Sequence, residues 1–232
     1  MVVKEEAMQH GISFSPNEIM ADFELALVQS LELQFPGARI HGCYFHFAQC
    51  LWRKVQSLGL VEEYREDDSI RCFIQKSAAI AFVPLNFVRV SWDGLKAEMP
   101  DDERVESFAI YIDQTWMNGN FRPRMWNYYA HTGPRTNNHL EGWHNRMKRI
   151  LRKAHPNLYE ILELFQREQA DTEVAIQQLE VGGVRKPKRK KVIRREDKIK
   201  SLADELTNGE RDIDSYLTAI RHCVVSFDFS YF

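Results

Sequence analysis

The sequence predicts an α/β chain that is mostly helical by content, and three observations predict it. Two short runs, residues 17–22 and 38–44, read as strands and bracket a helical stripe. From about residue 60 to 118 the apolar residues recur at helical spacing with no strand signal between them. The remainder, after a loop rich in turn formers and aromatics, is again helical in pattern.

The first strand covers Asn17-Glu-Ile-Met-Ala-Asp22 and stops on an acid. Phe23, Leu27, Leu31 and Phe35 follow at near-helical spacing and end at Pro36-Gly37, a pair that cannot continue a helix. Ala38 to Tyr44 suits a second strand, and a right-handed strand–helix–strand unit is the natural product. A helix is expected from Phe47 to Ser57, stopping at Gly59. Two further stripes follow, Ile70, Phe73, Ile74, Ser77, Ile80 and Ala81 before Pro84, and Val105, Phe108, Ala109, Ile112 and Trp116 after Pro100. Residues 117–135 form an ordered loop, and a helix is expected over about 138–153. The next starts at Pro156 with Leu158, Ile161, Leu162 and Phe165 as its buried stripe. Ile199, Leu202 and Leu206, then Ile213, Leu217 and Ile220, mark two small amphipathic helices, and the aromatic residues 227–232 have no clear pattern. The expected parts are a strand–helix–strand unit (1–50), a helical insertion (51–130), core helices (131–180), a basic linker (181–195) and a small helical tail (196–232).

Composition narrows the function classes. The chain has 232 residues, 44% hydrophobic and 28% charged, enough to bury a core. No run of about 18 apolar residues occurs, so no membrane partner is expected. Acids at Glu5 and Glu6 leave no apolar segment for a secretory signal at Met1. Cys43, Cys50, Cys72 and Cys223 form no CxxC pair, which argues against a disulfide framework and for a reducing compartment. The net charge of -2 conceals eight bases between Arg185 and Arg195 with no acid among them. Lys186, Lys188, Arg189, Lys190 and Lys191 are its densest part and read as a nuclear-import signal or a phosphate-contacting tail. A solvated linker is the plainer reading of the same charges.

Two acids stand in informative text. Asp22 precedes a helical stripe and could be its N-cap, while Asn138-x-x-Glu141 has capping-box spacing, so each has an ordinary explanation. Cys43, His46, Cys50, His139 and His144 could assemble a zinc site, but their spacings fit no strong template. Trp116, Trp126 and Trp143 could stack on bases, although core packing is the commoner fate.

The surroundings of the acids say more. Met20-Ala-Asp-Phe-Glu-Leu-Ala26, Phe35-Pro-Gly-Ala38, Gly42-Cys-Tyr-Phe-His46, Ala81-Phe-Val-Pro84, the Tyr111 to Trp116 run and Thr136-Asn-Asn-His-Leu-Glu-Gly-Trp-His144 occur in this order. Together, over about residues 17–170, they resemble Mutator-like element transposases; no single motif carries the likeness. The resemblance implies an RNase H-like fold of the DDE superfamily with an all-helical insertion between the second and third acids, and the 119 residues from Asp22 to Glu141 leave room for one. It implies that Asp22 and Glu141 are catalytic metal ligands, that His46 of a Cys-x-x-His pair stands beside them, and that Cys43, Asn137, Asn138 and His144 support the site. Mg²⁺ or Mn²⁺ would be the cofactor. DNA and other transposase chains would be the partners, in the nucleus. Phosphodiester chemistry needs such a set because charge develops on the attacking and leaving oxygens, and hard carboxylate oxygens hold the divalent ions that stabilise both. The family's first acid has no counterpart, because the 21 residues before Asp22 contain no aspartate. The expectation is therefore a truncated core lacking its first strands and catalytically incompetent alone. The alternatives are a DNA-binding or protein-interaction module retained by a host, or a transposon remnant.

Overall fold

The computed structural model describes residues 2–153, 155–183, 189–225 and 227. The described residues are mostly helical with one two-stranded parallel sheet, and the chain divides into two compact units, residues 1–136 with 195–232, and residues 137–194.

The first unit opens with α1 (Val2–Gln9), and the sheet pairs β1 (Glu18–Ala21) with β2 (Arg39–Gly42), connected by α2 (Leu25–Gln34). The strands run parallel, with Glu18 opposite Arg39 and Ala21 opposite Gly42, as a strand–helix–strand crossover requires. Both strands are shorter than their sequence runs. β2 ends at Gly42, and α3 (Tyr44–Ser57) begins three residues earlier than the expected Phe47. The stripe expected for α2 is corrected as well. Phe23 lies before the helix, Leu27 is exposed, and Val28 is the buried residue. Phe23 turns onto an aromatic cluster instead, edge-on to Trp116 at 4.8 Å and to Phe121 at 5.2 Å between ring centroids.

Helices continue with α4 (Val61–Glu66), α5 (Asp68–Ala79), α6 (Val88–Ala97), α7 (Glu103–Ile112) and the short α8 (Pro123–Trp126). No strand interrupts the described residues between Tyr44 and Trp126. Asp67 caps α5 and Asp102 caps α7, each accepting from two backbone N–H groups, and Pro84 and Pro100 fall in the gaps that stop the preceding helices. The wide turn Asp113–Met117 extends α7 as a π-helix and brings Trp116 into the core. One apolar core gathers these helices with α3, with the later part of α11 (Lys190–Thr207) and with α12 (Ile213–Val224). Phe47, Leu51, Trp92, Phe108, Trp116, Trp126, Tyr128, Tyr216 and Ile220 are almost fully enclosed in it. Residues 51–130 thus share a core with the C-terminal helices and do not form a separate unit. A smaller cluster of Ala21, Val28, Ile40 and Met125 seats the sheet.

The second unit holds α9 (Asn138–Leu151) and α10 (Leu158–Glu180). Arg152, in the left-handed region, ends α9, and an Asn157–Glu160 capping box opens α10. Trp143 donates from Nε1 to Glu168 at 2.8 Å, and Arg146 pairs with the same carboxylate. The expected buried stripe on α10 is wrong. Leu158, Leu162 and Phe165 are exposed, and Leu164 is the buried residue, on the same face as Ile161 and Glu168. A face that contacts a neighbour through an ion pair and two apolar residues is narrower than the apolar pattern implied.

The basic tract is also revised. Lys186 and Lys188 lie outside the described residues, but α11 begins at Lys190, so Lys190 and Lys191 are helical and not part of a linker. Arg189, Lys190, Lys191, Arg194 and Arg195 are exposed.

Candidate metal centre

The end of β1 and the start of α3 converge because β1 and β2 are parallel and in register. The chain leaves β1 at Ala21 and β2 at Gly42, so the next residues, Asp22 and Cys43, emerge at the same end of the sheet. Cys43 N–H donates to the Ala21 carbonyl at 2.9 Å and extends the pairing by one step. Cys43 is the N-cap of α3, and one turn later His46 projects back to the strand end. His46 Nδ1 lies 2.7 Å from Asp22 Oδ1. Asp22, Cys43 and His46 each offer one ligand atom, and the three atoms lie within 4.8 Å of one another. Cys43 is completely buried, His46 partly buried, and the Asp22 side chain about half exposed.

Packing fixes this corner. Tyr44 N–H donates to the Arg135 carbonyl at 2.8 Å, and the Tyr128 hydroxyl donates to the Gly42 carbonyl. Phe47, one residue after His46, stacks flat on Trp126 at 5.1 Å. Gly42 is required by Phe23: a Cβ there would meet the ring at 2.1 and 2.2 Å. The Gly-Cys-x-x-His text therefore has a local physical meaning. Glycine admits the aromatic ring, cysteine fills a closed space, and the histidine returns to the acid.

The ordinary explanation for Asp22 fails in this geometry. Glu24, not Asp22, is the N-cap of α2, and the Asp22 carboxylate is engaged by His46. Glu141 loses its capping-box reading in the same way. α9 opens after Asn137, which makes Leu140 the third helical residue and puts Glu141 one position too late. Within the second unit Glu141 is half-buried in the first turn of α9, Asn137 is half-buried, and Asn138 and His144 are exposed.

Of the five-residue zinc set, the first unit brings Cys43 and His46 together among the described residues. Cys43 and His46 join Asp22, while Cys50 stands outside that group, its thiol pushed up by burial and so a poor thiolate donor. His139 belongs to α9 in the second unit. Of the tryptophans, Trp116 and Trp126 are core residues, with Trp126 Nε1 donating to the Phe121 carbonyl at 3.0 Å, and Trp143 is partly exposed.

A second cluster has no counterpart in the sequence reading. Glu18, His41 and His131 also bring one ligand atom each within 4.8 Å. His41 is buried in the sheet with Nε2 3.7 Å from Glu18 Oε1, and its ring lies 4.9 Å from that of His131. Burial first, then the neighbouring His131 and Arg39, lower the His41 pKa, against a weaker pull upward from Glu18. No spacing rule joins positions 18, 41 and 131; only the parallel register and the return of the loop after α8 do so. The signal available beforehand was a histidine inside an apolar strand run, a position where a polar ring needs a partner.

Comparisons of the chain with protein-family models, with curated proteins and with solved structures return no match.

Proposed function

We propose that this chain is the part of a Mutator-like transposase catalytic domain that carries its second and third acids, an RNase H-like core with a helical insertion. By itself it binds DNA in the nucleus without cutting it. The observation that carries this reading is the pairing of Asp22 with His46 at the common end of two parallel strands, where the acid caps no helix. A half-exposed carboxylate held by a histidine suits a metal ligand whose direction must be fixed.

Mg²⁺ and Mn²⁺ take hard oxygens, so Asp22 fits and Glu141 fits, whereas the buried Cys43 sulfur does not. Each of the two carboxylates would thus be a ligand suited to such an ion, His46 would orient Asp22, and Cys43 would serve as packing. The ion supplies charge stabilisation for the oxygens of a phosphodiester exchange. This chain's own contribution is two carboxylates and a histidine that fixes one of them. The exposed bases Arg189, Lys190 and Lys191 would contact phosphate or direct nuclear import.

The test uses radiolabelled duplex DNA with Mg²⁺ or Mn²⁺. The 232-residue chain should retain DNA at low salt, lose it as salt rises, and release no product. A version extended upstream with a segment carrying the first acid should cleave, and Asp22→Ala or Glu141→Ala should abolish that cleavage. Cleavage by the extended chain that survives Asp22→Ala would refute the ligand assignment. Cleavage by the unextended chain that vanishes in the double variant would show that another acid completes the site.

A further inference from the structure

We propose that Glu18, His41 and His131 form a Zn²⁺ site that pins the two-stranded sheet to the loop following α8. The site is independent of the reading of Asp22.

Three observations carry it. The first is the donor set itself, two imidazoles and one carboxylate with ligand atoms within 4.8 Å of one another. Tetrahedral zinc with bonds of about 2.0–2.1 Å needs its ligand atoms about 3.3 Å apart, and His41 Nε2 to Glu18 Oε1 is already 3.7 Å. The remaining contraction falls on Glu18, which is exposed, and His131, which is half-buried, while His41 is the fixed anchor.

The second is His41. It is 3% exposed, yet neither Nδ1 nor Nε2 has a hydrogen-bond partner. A buried imidazole with two unsatisfied nitrogens costs a desolvation penalty that the fold has no other visible reason to retain. A metal on Nε2, the nitrogen facing Glu18, removes one half of that deficit. It also accounts for a polar ring at a strand position that the hydrophobic pattern reserves for an apolar side chain.

The third is the way His131 is held. Its Nε2 lies 3.1 Å from the Pro134 carbonyl, so donation there leaves Nδ1 as the lone-pair atom. Metal-bound histidines are commonly oriented by such a carbonyl on the far nitrogen. Gly133 makes room for the ring: a Cβ at that position would meet His131 Nε2 at 2.8 Å and Cε1 at 3.1 Å.

Zinc is the ion this set selects. Imidazole nitrogens disfavour Mg²⁺ and Ca²⁺, and three protein ligands leave a fourth tetrahedral position for water. The consequence for the fold is a cross-link among three segments distant in sequence. A two-stranded sheet is marginal without added support, and here the ion would tie β1, β2 and the 127–135 loop together.

The experiment titrates the metal-free full chain with Zn²⁺ against a chromophoric chelator, followed by thermal melting and by Co²⁺ absorption. Wild type should take up one equivalent of Zn²⁺ and melt at a higher temperature with it. Glu18→Gln, an exposed change that leaves the core intact, and His131→Gln should each weaken zinc binding at least about tenfold, the scale seen for losing a partner one shell further out. Cys43→Ser should bind as wild type, and the Co²⁺ form should lack a thiolate charge-transfer band. The proposal is overturned if wild type takes up no zinc, if Glu18→Gln and His131→Gln titrate like wild type, or if binding depends on Cys43 and shows the thiolate band. Circular dichroism of Glu18→Gln separates lost binding from lost folding: weakened binding with an unchanged spectrum supports the site, and weakened binding with a collapsed spectrum in both variants overturns it.

Discussion

Replacing Gly42 by alanine tests how the Asp22 corner is held. The backbone at Gly42 is not in the left-handed region, so alanine introduces a steric problem and no backbone strain. Its Cβ would stand 2.1 Å from Phe23 Cζ, where ordinary contact begins near 3.4 Å, so the ring must withdraw by about 1.3 Å. That ring is wedged against Trp116 and Phe47, both enclosed in the aromatic core, and against the partly exposed Phe121. Overpacking of this kind costs about 1–3 kcal/mol, and the reduced freedom of the unfolded chain returns about 0.4–1 kcal/mol. A net loss of about 1–2 kcal/mol is expected, a downward shift of about 0.5 M in the urea midpoint for a denaturant slope of about 3 kcal/mol/M. Phe23→Ala alone should cost about 2–3 kcal/mol, less than for a fully buried phenylalanine. In that background Gly42→Ala should be neutral within about 0.5 kcal/mol, because the atoms it collides with are gone. The double-mutant cycle should therefore return a coupling close to the whole Gly42→Ala effect. Equal destabilisation in the two backgrounds would refute the collision, and with it the explanation of the glycine in the Gly-Cys-x-x-His text.

Three further outcomes are expected. Asp214→Ala should cost about 1–2 kcal/mol, since Lys76 is buried and its Nζ lies 2.5 Å from the more exposed Asp214 carboxylate, and Lys76→Met should cost less because it leaves no buried charge behind; urea melts compare the two. Asp102→Ala should cost about 1 kcal/mol at pH 7 through loss of the α7 cap. The Arg104 guanidinium, helped by the backbone N–H groups of Arg104 and Val105, holds the Asp102 carboxyl below its usual range. Its contribution is thus present above about pH 3.8 and fades as pH falls through the lower folded value, so the gap between wild type and variant should narrow in melts between pH 4 and 2. Alanine at Lys188, Arg189, Lys190 and Lys191 should leave a protein carrying a large fluorescent tag in the cytoplasm; unchanged nuclear accumulation would remove import from the roles of this tract.

Much of the first unit was legible because its signals are local. The two strands, the crossover helix and the helices α5 and α7 follow from periodicity and from Pro84 and Pro100 as stops. Their ends were less legible: α3 starts at Tyr44 because Cys43 leaves the sheet and caps the helix at once, a decision made by Ala21 on the neighbouring strand. The α10 stripe misled because four apolar residues at helical spacing announce a buried face only where a partner covers them, and Leu158, Leu162 and Phe165 are exposed. At the candidate centre, Asp22, Cys43 and His46 were readable within 25 residues of sequence. Glu18, His41 and His131 were not, since 90 residues separate the two histidines and only the folded loop makes them neighbours.

The two stretches that make up the first unit set a timetable for synthesis. Its core needs Leu202, Tyr216, Leu217 and Ile220, which emerge from the ribosome after the whole of the second unit. Until then Phe82, whose carbonyl later accepts the Tyr216 hydroxyl at 2.7 Å, and Lys76, whose later partner is 138 residues away, face solvent or non-native neighbours. A ribosome adding about 5–20 residues per second takes about 7–28 seconds to cover that gap. During those seconds the nascent chain presents a half-built aromatic surface, so its yield in a cell depends on chaperone capacity more than its final stability would suggest. A circular permutant that begins at Arg189 would deliver α11 and α12 first and shorten the exposure.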